Sequence, residues 1–167
     1  MAITYEPIAT TTLGSDTTSV TFSSIPATYT DLVLICTEIQ SNVAGSSFND
    51  GRFRFNGDTG SNYSQTRLRG DGSSATSARD SNENILYTGM IAQASSPKTM
   101  MILQIMNYSN TTTYKTVLCR AGAAGLATQA HVGLWRSTAA INEVAAVYPS
   151  QVYKAGATFT LYGIKAF

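Results

Sequence analysis

The segment at residues 99–107, TMMILQIMN, is apolar on both of its alternating faces. Its two sets of apolar side chains are Met100, Ile102 and Met106, and Met101, Leu103 and Ile105. A strand with one solvent-exposed face alternates apolar with polar residues, whereas a strand covered on both faces does not. The pattern therefore predicts that residues 99–107 form the central strand of a sheet covered on both sides. Residues 31–39, DLVLICTEI, are the second segment with this pattern.

Short strand-like segments recur along the rest of the chain, separated by Gly, Pro, Asn and Ser. The segments predicted to be strands are 3–13, 19–23, 31–39, 51–55, 62–69, 85–91, 99–107, 114–120, 131–137, 141–148 and 158–166. Almost none has a helical period, so the spacing predicts an all-β fold, an antiparallel two-sheet β-sandwich of jelly-roll type with about ten to eleven strands. No repeat or linker interrupts the sequence, and residues 1–167 are predicted to form a single domain.

The first predicted strand contains Pro7, which has no backbone N–H to donate to a neighbouring strand. We therefore predict that this strand lies at the edge of a sheet or is bulged at Pro7. An edge strand offers unpaired backbone groups to a neighbouring molecule. Residues 1–13, and residues 164–167 at the other end, are accordingly candidates for contacts between subunits.

Residues 51–55, GRFRF, alternate cleanly, with Phe53 and Phe55 on one face and two arginines on the other. The sequence NGDTG at residues 56–60 is rich in Gly and Asn, which tolerate the positive φ angles of tight turns. We therefore predict that residues 62–69 return antiparallel to residues 51–55. The next segment, residues 70–84, is almost wholly polar and lacks periodicity, so it is predicted to be a long loop.

The predicted hairpin would place the only concentration of charge in the chain on one face. The residues on this face that we predict to bind a partner are Arg52, Arg54, Tyr63, Arg67 and Arg69. Such a face is either an ordinary solvated strand surface or a contact for an acidic protein surface or an anionic glycan. Arg pairs well with carboxylates, and Tyr is common at interfaces, which favours the second interpretation.

Composition narrows the classes of partner. The chain has 11 Lys and Arg against 10 Asp and Glu, and its net charge is +1. A general nucleic-acid-binding protein would show a basic patch, so no nucleic-acid partner is predicted. Charged residues are only 13% of the chain, about half the usual share, as in a protein whose surface is covered by neighbours. The sequence has no secretory signal and no segment for crossing a membrane, so synthesis in the cytoplasm is expected.

Few residues in the sequence have the spacing that catalysis or metal binding requires. His131 is the only histidine, and no Gly-x-Ser-x-Gly motif accompanies it. One His and two distant cysteines, Cys36 and Cys119, do not supply a zinc site. Both cysteines lie in apolar strand patterns, and we interpret them as reduced core residues, although a bond between adjacent strands stays open. We predict that the protein is not an enzyme and has no cofactor or metal.

Acidic residues in predicted loops leave one further alternative open. Four aspartates could supply oxygen ligands for calcium, namely Asp50, Asp58, Asp71 and Asp80. The ligand spacing of an EF-hand is absent, and Asp also forms turns through its own side chain. We therefore interpret these residues as turn formers. Glu38 and Glu143 lie within predicted strands, and nothing in the sequence brings them together as an acid pair.

Four stretches resemble a known family, the small virion structural proteins of tailed bacteriophages, notably those that infect cyanobacteria and other aquatic hosts. They are VTFSSIPATYTDLVL (20–34), FRFNGDTGSNYSQTRLRGDGSS (53–74), VGLWRSTAAINEV (132–144) and GATFTLYGIKAF (156–167). The resemblance extends from about residue 10 to residue 167. It implies a β-sandwich that assembles on the virion as a capsid decoration or tail-fibre component. It brings no catalytic residues.

Within that family, the absence of heptads and repeats argues against a fibre shaft and favours a decoration, or cement, protein. Such a protein would bind the major capsid protein or other virion proteins, as a homo-oligomer that we expect to be a trimer. It would stabilise the head by binding only the assembled shell. The alternative is a tail-fibre or head-fibre component that recognises host surface glycans through residues 70–84 and 107–113. A third is a lectin-like module or glycan hydrolase of cellular origin.

Overall fold

The predicted all-β fold is confirmed by a computed structural model, which describes residues 4–165. Its twelve strands are β1 (Tyr5–Thr12), β2 (Ser19–Phe22), β3 (Asp31–Ile39), β4 (Phe48–Phe55), β5 (Tyr63–Gly70), β6 (Ala75–Glu83), β7 (Leu86–Ala92), β8 (Thr99–Met106), β9 (Lys115–Ala123), β10 (Ala127–Trp135), β11 (Val144–Val147) and β12 (Thr158–Ile164). They form two antiparallel sheets with strand orders β1-β12-β3-β8-β9-β10-β5-β6 and β2-β11-β4-β7. The jelly-roll connectivity stays a prediction.

The first strand is a bulged edge strand, as Pro7 indicated. β1 is at the edge of the eight-stranded sheet, and its pairing with β12 shifts register between Pro7 and Ala9. The Nζ of Lys165 and the Oε1 of Glu6, 2.8 Å apart, tie the end of the chain to this strand. Residues 1–3 and 166–167, which belong to the predicted inter-subunit segments, lie outside the described residues. The inter-subunit role stays a prediction.

The central position of β8 is confirmed, since it lies between β3 and β9 in the larger sheet. The prediction that both of its faces are covered is wrong. Met101, Leu103 and Ile105 are buried, but Met100 is 49% exposed and Met106 is 39% exposed. The four-stranded sheet packs on one face of β8, and no described residue covers the other face. Apolar residues on both alternations therefore mark a strand with a core face and an apolar outer face.

The predicted hairpin between residues 51–55 and 62–69 is also wrong. Asn56 and Gly57 do have the positive φ angles of a turn, 52° and 64°. However, β4 belongs to the four-stranded sheet and β5 to the eight-stranded sheet, so the chain crosses between the sheets instead of folding back. The crossing loop is fixed by Asp58, whose Oδ2 accepts a hydrogen bond of 2.7 Å from the indole Nε1 of Trp135.

Residues 70–84 are not a long loop. Only a short turn precedes β6, and Asp71 closes it by accepting hydrogen bonds from the backbone N–H groups of Ser73 and Ser74. β6 then pairs with β5 as the far edge of the eight-stranded sheet. Most of its side chains are exposed, and a strand with two wet faces carries no apolar alternation from which it could be predicted.

The two cysteines are buried, unbonded core residues, as the sequence indicated. Cys36 lies on β3 and Cys119 on β9, both facing the four-stranded sheet. Burial raises the pKa of the Cys36 thiol well above its usual value and raises that of Cys119 to about 12. Both thiols are therefore neutral at physiological pH.

Candidate functional site

The inner face of the eight-stranded sheet changes character along its cross-strand rows. One row runs from Leu34 on β3 through Leu103 and Cys119 to His131 on β10 and Arg67 on β5. The row beside it changes in the same way, from apolar side chains on β3, β8 and β9 to Gln129 on β10 and Arg69 on β5. β10 and β5 therefore carry a polar inner surface at these two rows, and β4 and β7 of the smaller sheet lie across from it.

A cleft of about 270 Å³ opens at this polar end, between β4 and β7 of the smaller sheet and β5 and β10 of the larger one. Its walls are formed by Phe48, Asn49, Asp50, Arg52, Arg67, Arg69, Tyr87 and Gln129. Three of the five predicted partner-binding residues, the arginines of positions 52, 67 and 69, are therefore brought together. They meet across the two sheets and not on one hairpin face.

The other two predicted residues lie elsewhere. Tyr63 is fully buried, so its predicted place on an exposed face is wrong. Its hydroxyl accepts a hydrogen bond from the backbone N–H of Phe55 and donates one to the carbonyl of Asp58, and burial raises its pKa to about 12. Arg54 lies outside the cleft, where its Nε donates to the carbonyl of Asn84 at 3.4 Å.

Asp50 and Arg67 form the one ion pair of the cleft, with 2.8 Å between Oδ2 and Nη1. The position of Asp50 depends on a β-bulge, since the pairing of β4 with β7 shifts register between Asp50 and Arg52. Gly51 lies in this bulge, and a Cβ atom there would come within 2.4 Å of the carbonyl oxygen of Thr88. Only glycine therefore allows β4 to approach β7 closely enough to place Asp50 beside Arg67.

The guanidinium groups of Arg52 and Arg69 rest on aromatic rings. The Cζ of Arg52 is 5.5 Å from the ring centre of Tyr87 and 5.4 Å from that of Tyr148, and the Cζ of Arg69 is 4.6 Å from that of Phe48. Neither arginine is ion-paired with any residue in the described range 4–165. Stacking fixes the plane of a guanidinium and leaves its in-plane N–H donors available.

His131 and Gln129 form the buried floor beside the cleft. Each is 3% exposed, and the Nε2 of His131 lies 2.7 Å from the Oε1 of Gln129. Burial lowers the pKa of His131 to about 4, although the carboxylate of Asp50 opposes this shift. The imidazole is therefore neutral at pH 7. The sequence interpretation of His131 as a structural residue omitted Gln129, because the strand was predicted to begin only at residue 131.

The side chain of Gln65 extends the buried polar floor along β5. It is 3% exposed, and its amide nitrogen donates to Asp80 at 3.0 Å. Its Oε1, together with the Nε of Arg52 and the Nδ1 of His131, is buried without a well-formed hydrogen bond to any described residue. Buried polar atoms without partners are rare, and of these three residues Arg52 lines the cleft.

A second surface, which we call the outer face, is the side of the eight-stranded sheet that points away from the smaller sheet. Its exposed apolar side chains are Leu68, Met100, Met106, Leu118 and Val132. Leu118 and Val132 are direct cross-strand partners on β9 and β10. At one end the outer face deepens into an open concavity of about 840 Å³, lined in part by Met100, Ile102 and Leu126. An exposed apolar area of this kind is typical of an interaction surface.

In the part of the chain that the structure describes, no three His, Cys, Asp or Glu side chains are grouped so that they could hold a metal ion. The loop aspartates have other partners: Asp58 and Asp71 stabilise turns, which confirms that interpretation for both. Asp80 and Asp50 lie within β6 and β4 and bind side chains of β5, so their interpretation as turn formers is wrong. The same described residues contain no helix with the length and apolar character that crossing a bilayer requires.

No protein-family model matches the chain, and no curated protein matches it. Two solved structures are similar in part. A mutant of alginate lyase Aly36B in complex with alginate tetrasaccharide has 10% identity and a TM-score of 0.39, covering 97% of this chain and 74% of the lyase chain. A protein of unknown function from Shewanella oneidensis MR-1 has 9% identity and a TM-score of 0.24, covering 98% and 77%. Scores this low carry no argument about activity.

Proposed function

We propose that this chain is a structural subunit of a tailed-phage virion, a decoration protein that binds the assembled head through the outer face of its eight-stranded sheet. The observation that carries the proposal is the apolar outer face itself, with Leu118 and Val132 at its centre. A subunit with such a face gains free energy when another protein covers it, at about 25 cal/mol for each Å² of apolar surface buried.

The family resemblance and the low charge of the chain support the same role. Only 13% of the residues are charged, which suits a protein surrounded by other subunits. A protein that binds only the assembled shell shifts the assembly equilibrium toward that shell by mass action. The partner would be the major capsid protein, and the subunit would act as a homotrimer. The exposed edge of β1 is available for contacts between its copies.

The position of the chain in native particles tests this proposal. A reconstruction of virions that contain the chain is expected to place it on the head lattice, with the outer face against capsid protein. Density at the tail, or no density in the particle, would contradict the proposal.

A variant tests the surface directly. Leu118→Ser combined with Val132→Ser is expected to weaken binding to heads that lack the chain by at least about tenfold, because two apolar contacts are lost. Thr21→Ala, which changes an exposed residue on the smaller sheet, is the matched control and should bind normally. Equal binding by the double variant would contradict the outer face as the docking surface.

A second candidate function is recognition of host surface glycans by a fibre component. The observation that favours it is the cleft, with its two unpaired arginines and its buried amide groups. A particle reconstruction that places the chain at a fibre tip would support this candidate over the decoration role.

A further inference from the structure

We propose that the cleft between β4, β7, β5 and β10 binds one sugar residue of an acidic polysaccharide through a carboxylate or sulfate group. The inference deepens the second candidate function and rests on it for its biological setting. The site itself is argued from the charge, the hydrogen-bonding capacity and the size of the cleft.

The excess of positive charge in the cleft favours a ligand with negative charge. The cleft holds three guanidinium groups and a single carboxylate, and Arg67 already pairs with that carboxylate of Asp50 at 2.8 Å. Arg52 and Arg69 are left without an ion pair among residues 4–165. Cation–π contacts with Tyr87, Tyr148 and Phe48 hold both guanidinium groups at the cleft wall before any ligand arrives. Two positioned guanidiniums bind a carboxylate or sulfate well.

One of these donors is already without a partner. The Nε of Arg52 is buried and makes no hydrogen bond with any residue that the structure describes. A buried donor that remains unsatisfied costs free energy. The unpaired Oε1 of Gln65 lies on the same polar half of the sheet.

The neutral groups of the cleft match sugar hydroxyls. The Oε1 of Gln129 is taken by His131, which leaves the amide nitrogen of Gln129 as a free donor. The Nδ2 of Asn49 donates to Tyr148 at 2.8 Å, which leaves its carbonyl oxygen as a free acceptor. A hydroxyl group both donates and accepts, so a free donor and a free acceptor in one small cleft suit a polyol better than a simple carboxylate.

Size limits the ligand to one ring at a time. The cleft measures about 270 Å³, just below the range of about 300–1,000 Å³ for pockets that hold drug-sized molecules. The cleft is open to solvent, so the remainder of a polysaccharide chain would extend outward from the bound residue.

The test is calorimetric titration of the purified full chain with three oligosaccharides of equal length: a hexuronate oligomer, a sulfated oligomer and a neutral glucan. We expect at least one acidic oligomer to bind with a stoichiometry of one, and the neutral glucan not to bind. Which acidic oligomer binds more tightly identifies the anionic group. Absence of binding by both acidic oligomers, or equal binding by the neutral glucan, would overturn the proposal.

Matched variants locate the site. Arg52→Gln and Arg69→Gln are each expected to weaken binding by about tenfold or more, because each removes a charge-assisted contact. Arg54→Gln removes the same charge from the same strand outside the cleft, and it should leave the affinity unchanged. Equal weakening by all three would indicate diffuse charge attraction and would contradict a built site.

Two further measurements separate a loss of binding from a loss of folding and from a loss of charge alone. Each variant is compared with the parent chain by thermal unfolding, and Arg69→Lys, which keeps the charge but loses the planar fork, is expected to bind with intermediate affinity. A failure of the cleft variants to alter binding would leave the decoration proposal intact, because that proposal is tested by the position of the chain in particles.

Discussion

The inner face of the eight-stranded sheet has two halves, which differ in the polarity of their side chains. On β3, β8 and β9 the inward residues Leu34, Leu103 and Cys119 are buried and apolar, whereas on β10 and β5 the same row continues as His131 and Arg67. Strand alternation is the same in both halves, so alternation alone does not decide what the face does. The residue types in each half decide it. The apolar half forms a core, and the polar half lines a cleft between the two sheets.

Burial has the same consequence for titratable groups in both halves. It raises the pKa of the Cys119 thiol to about 12 and lowers the pKa of the neighbouring His131 imidazole to about 4. In each case the neutral form is favoured, because charge is costly away from water. Two charged arginines of the cleft, Arg67 and Arg69, lie one strand further out on β5 and are only partly buried.

The largest expected effect is a loss of stability from a substitution in the apolar half of the inner face, compared with one in the polar half. Leu103→Ala should lower the free energy of unfolding by about 2–5 kcal/mol, because Leu103 is fully buried and its loss leaves a cavity. Arg69→Gln, in the polar half, should change it by less than about 0.5 kcal/mol. Urea unfolding monitored by circular dichroism measures both. Similar losses for the two variants would show that the polar half is as much a core as the apolar half.

The pH dependence of stability is the second test. His131 has a pKa of about 4 in the folded chain and about 6.5 when unfolded, so the unfolded chain binds more protons between these values. Stability should therefore fall as pH is lowered from about 6.5 to about 4, by on the order of 3 kcal/mol in total. Above pH 6.5 this histidine should have no effect. His131→Gln should remove this part of the pH dependence, and an unchanged profile would contradict a buried neutral imidazole.

A somewhat smaller loss of unfolding free energy is expected for substitutions that release the loop between β4 and β5. Trp135→Phe removes the indole donor that lies 2.7 Å from the Oδ2 of Asp58. Loss of a hydrogen bond to a charged group should cost about 2 kcal/mol. Asp58→Asn keeps an acceptor and should cost less. Chemical denaturation of both variants measures the difference, and an equal cost would show that the charge of Asp58 is required and that a neutral acceptor does not suffice.

The smallest effect is expected at the ion pair of the cleft. Asp50 and Arg67 are each about one-third exposed, 29% and 32%. An ion pair that is partly open to water contributes about 1 kcal/mol or less. Asp50→Asn should therefore barely alter stability, while it should strengthen binding of acidic oligosaccharides by removing the one negative charge of the cleft. Weaker binding by this variant would contradict the charge argument.

Much of the architecture was predictable from alternation and turn chemistry. The bounds of β3 agree with the sequence at both ends, and Pro7 correctly indicated the bulged edge strand. β6 was missed because both of its faces are wet, which leaves no apolar period to detect. The supposed hairpin failed because a turn sequence specifies local φ angles but not which sheet the next strand joins. That choice is made by Phe55, Tyr63 and Trp135, which pack together between the sheets.

The candidate site was harder to predict than the fold. The clustering of arginines in the sequence included Arg52, Arg67 and Arg69, which line the cleft, and their role in binding stays a prediction. It also included Tyr63, which is a core residue. Gln129 and His131 are two residues apart, a spacing that places both on one face of a strand. This spacing could have predicted that Gln129 and His131 lie side by side. The position of the cleft itself depends on which strands of the two sheets face each other, and no local pattern encodes that arrangement.

The two buried thiols have a consequence for the durability of the protein. Oxidants attack the thiolate form, and neither Cys36 nor Cys119 forms appreciable thiolate at physiological pH. Transfer from a reducing to an oxidising solution therefore leaves both thiols unchanged. The fold needs no oxidative maturation, and no cross-link has to form or break during its lifetime.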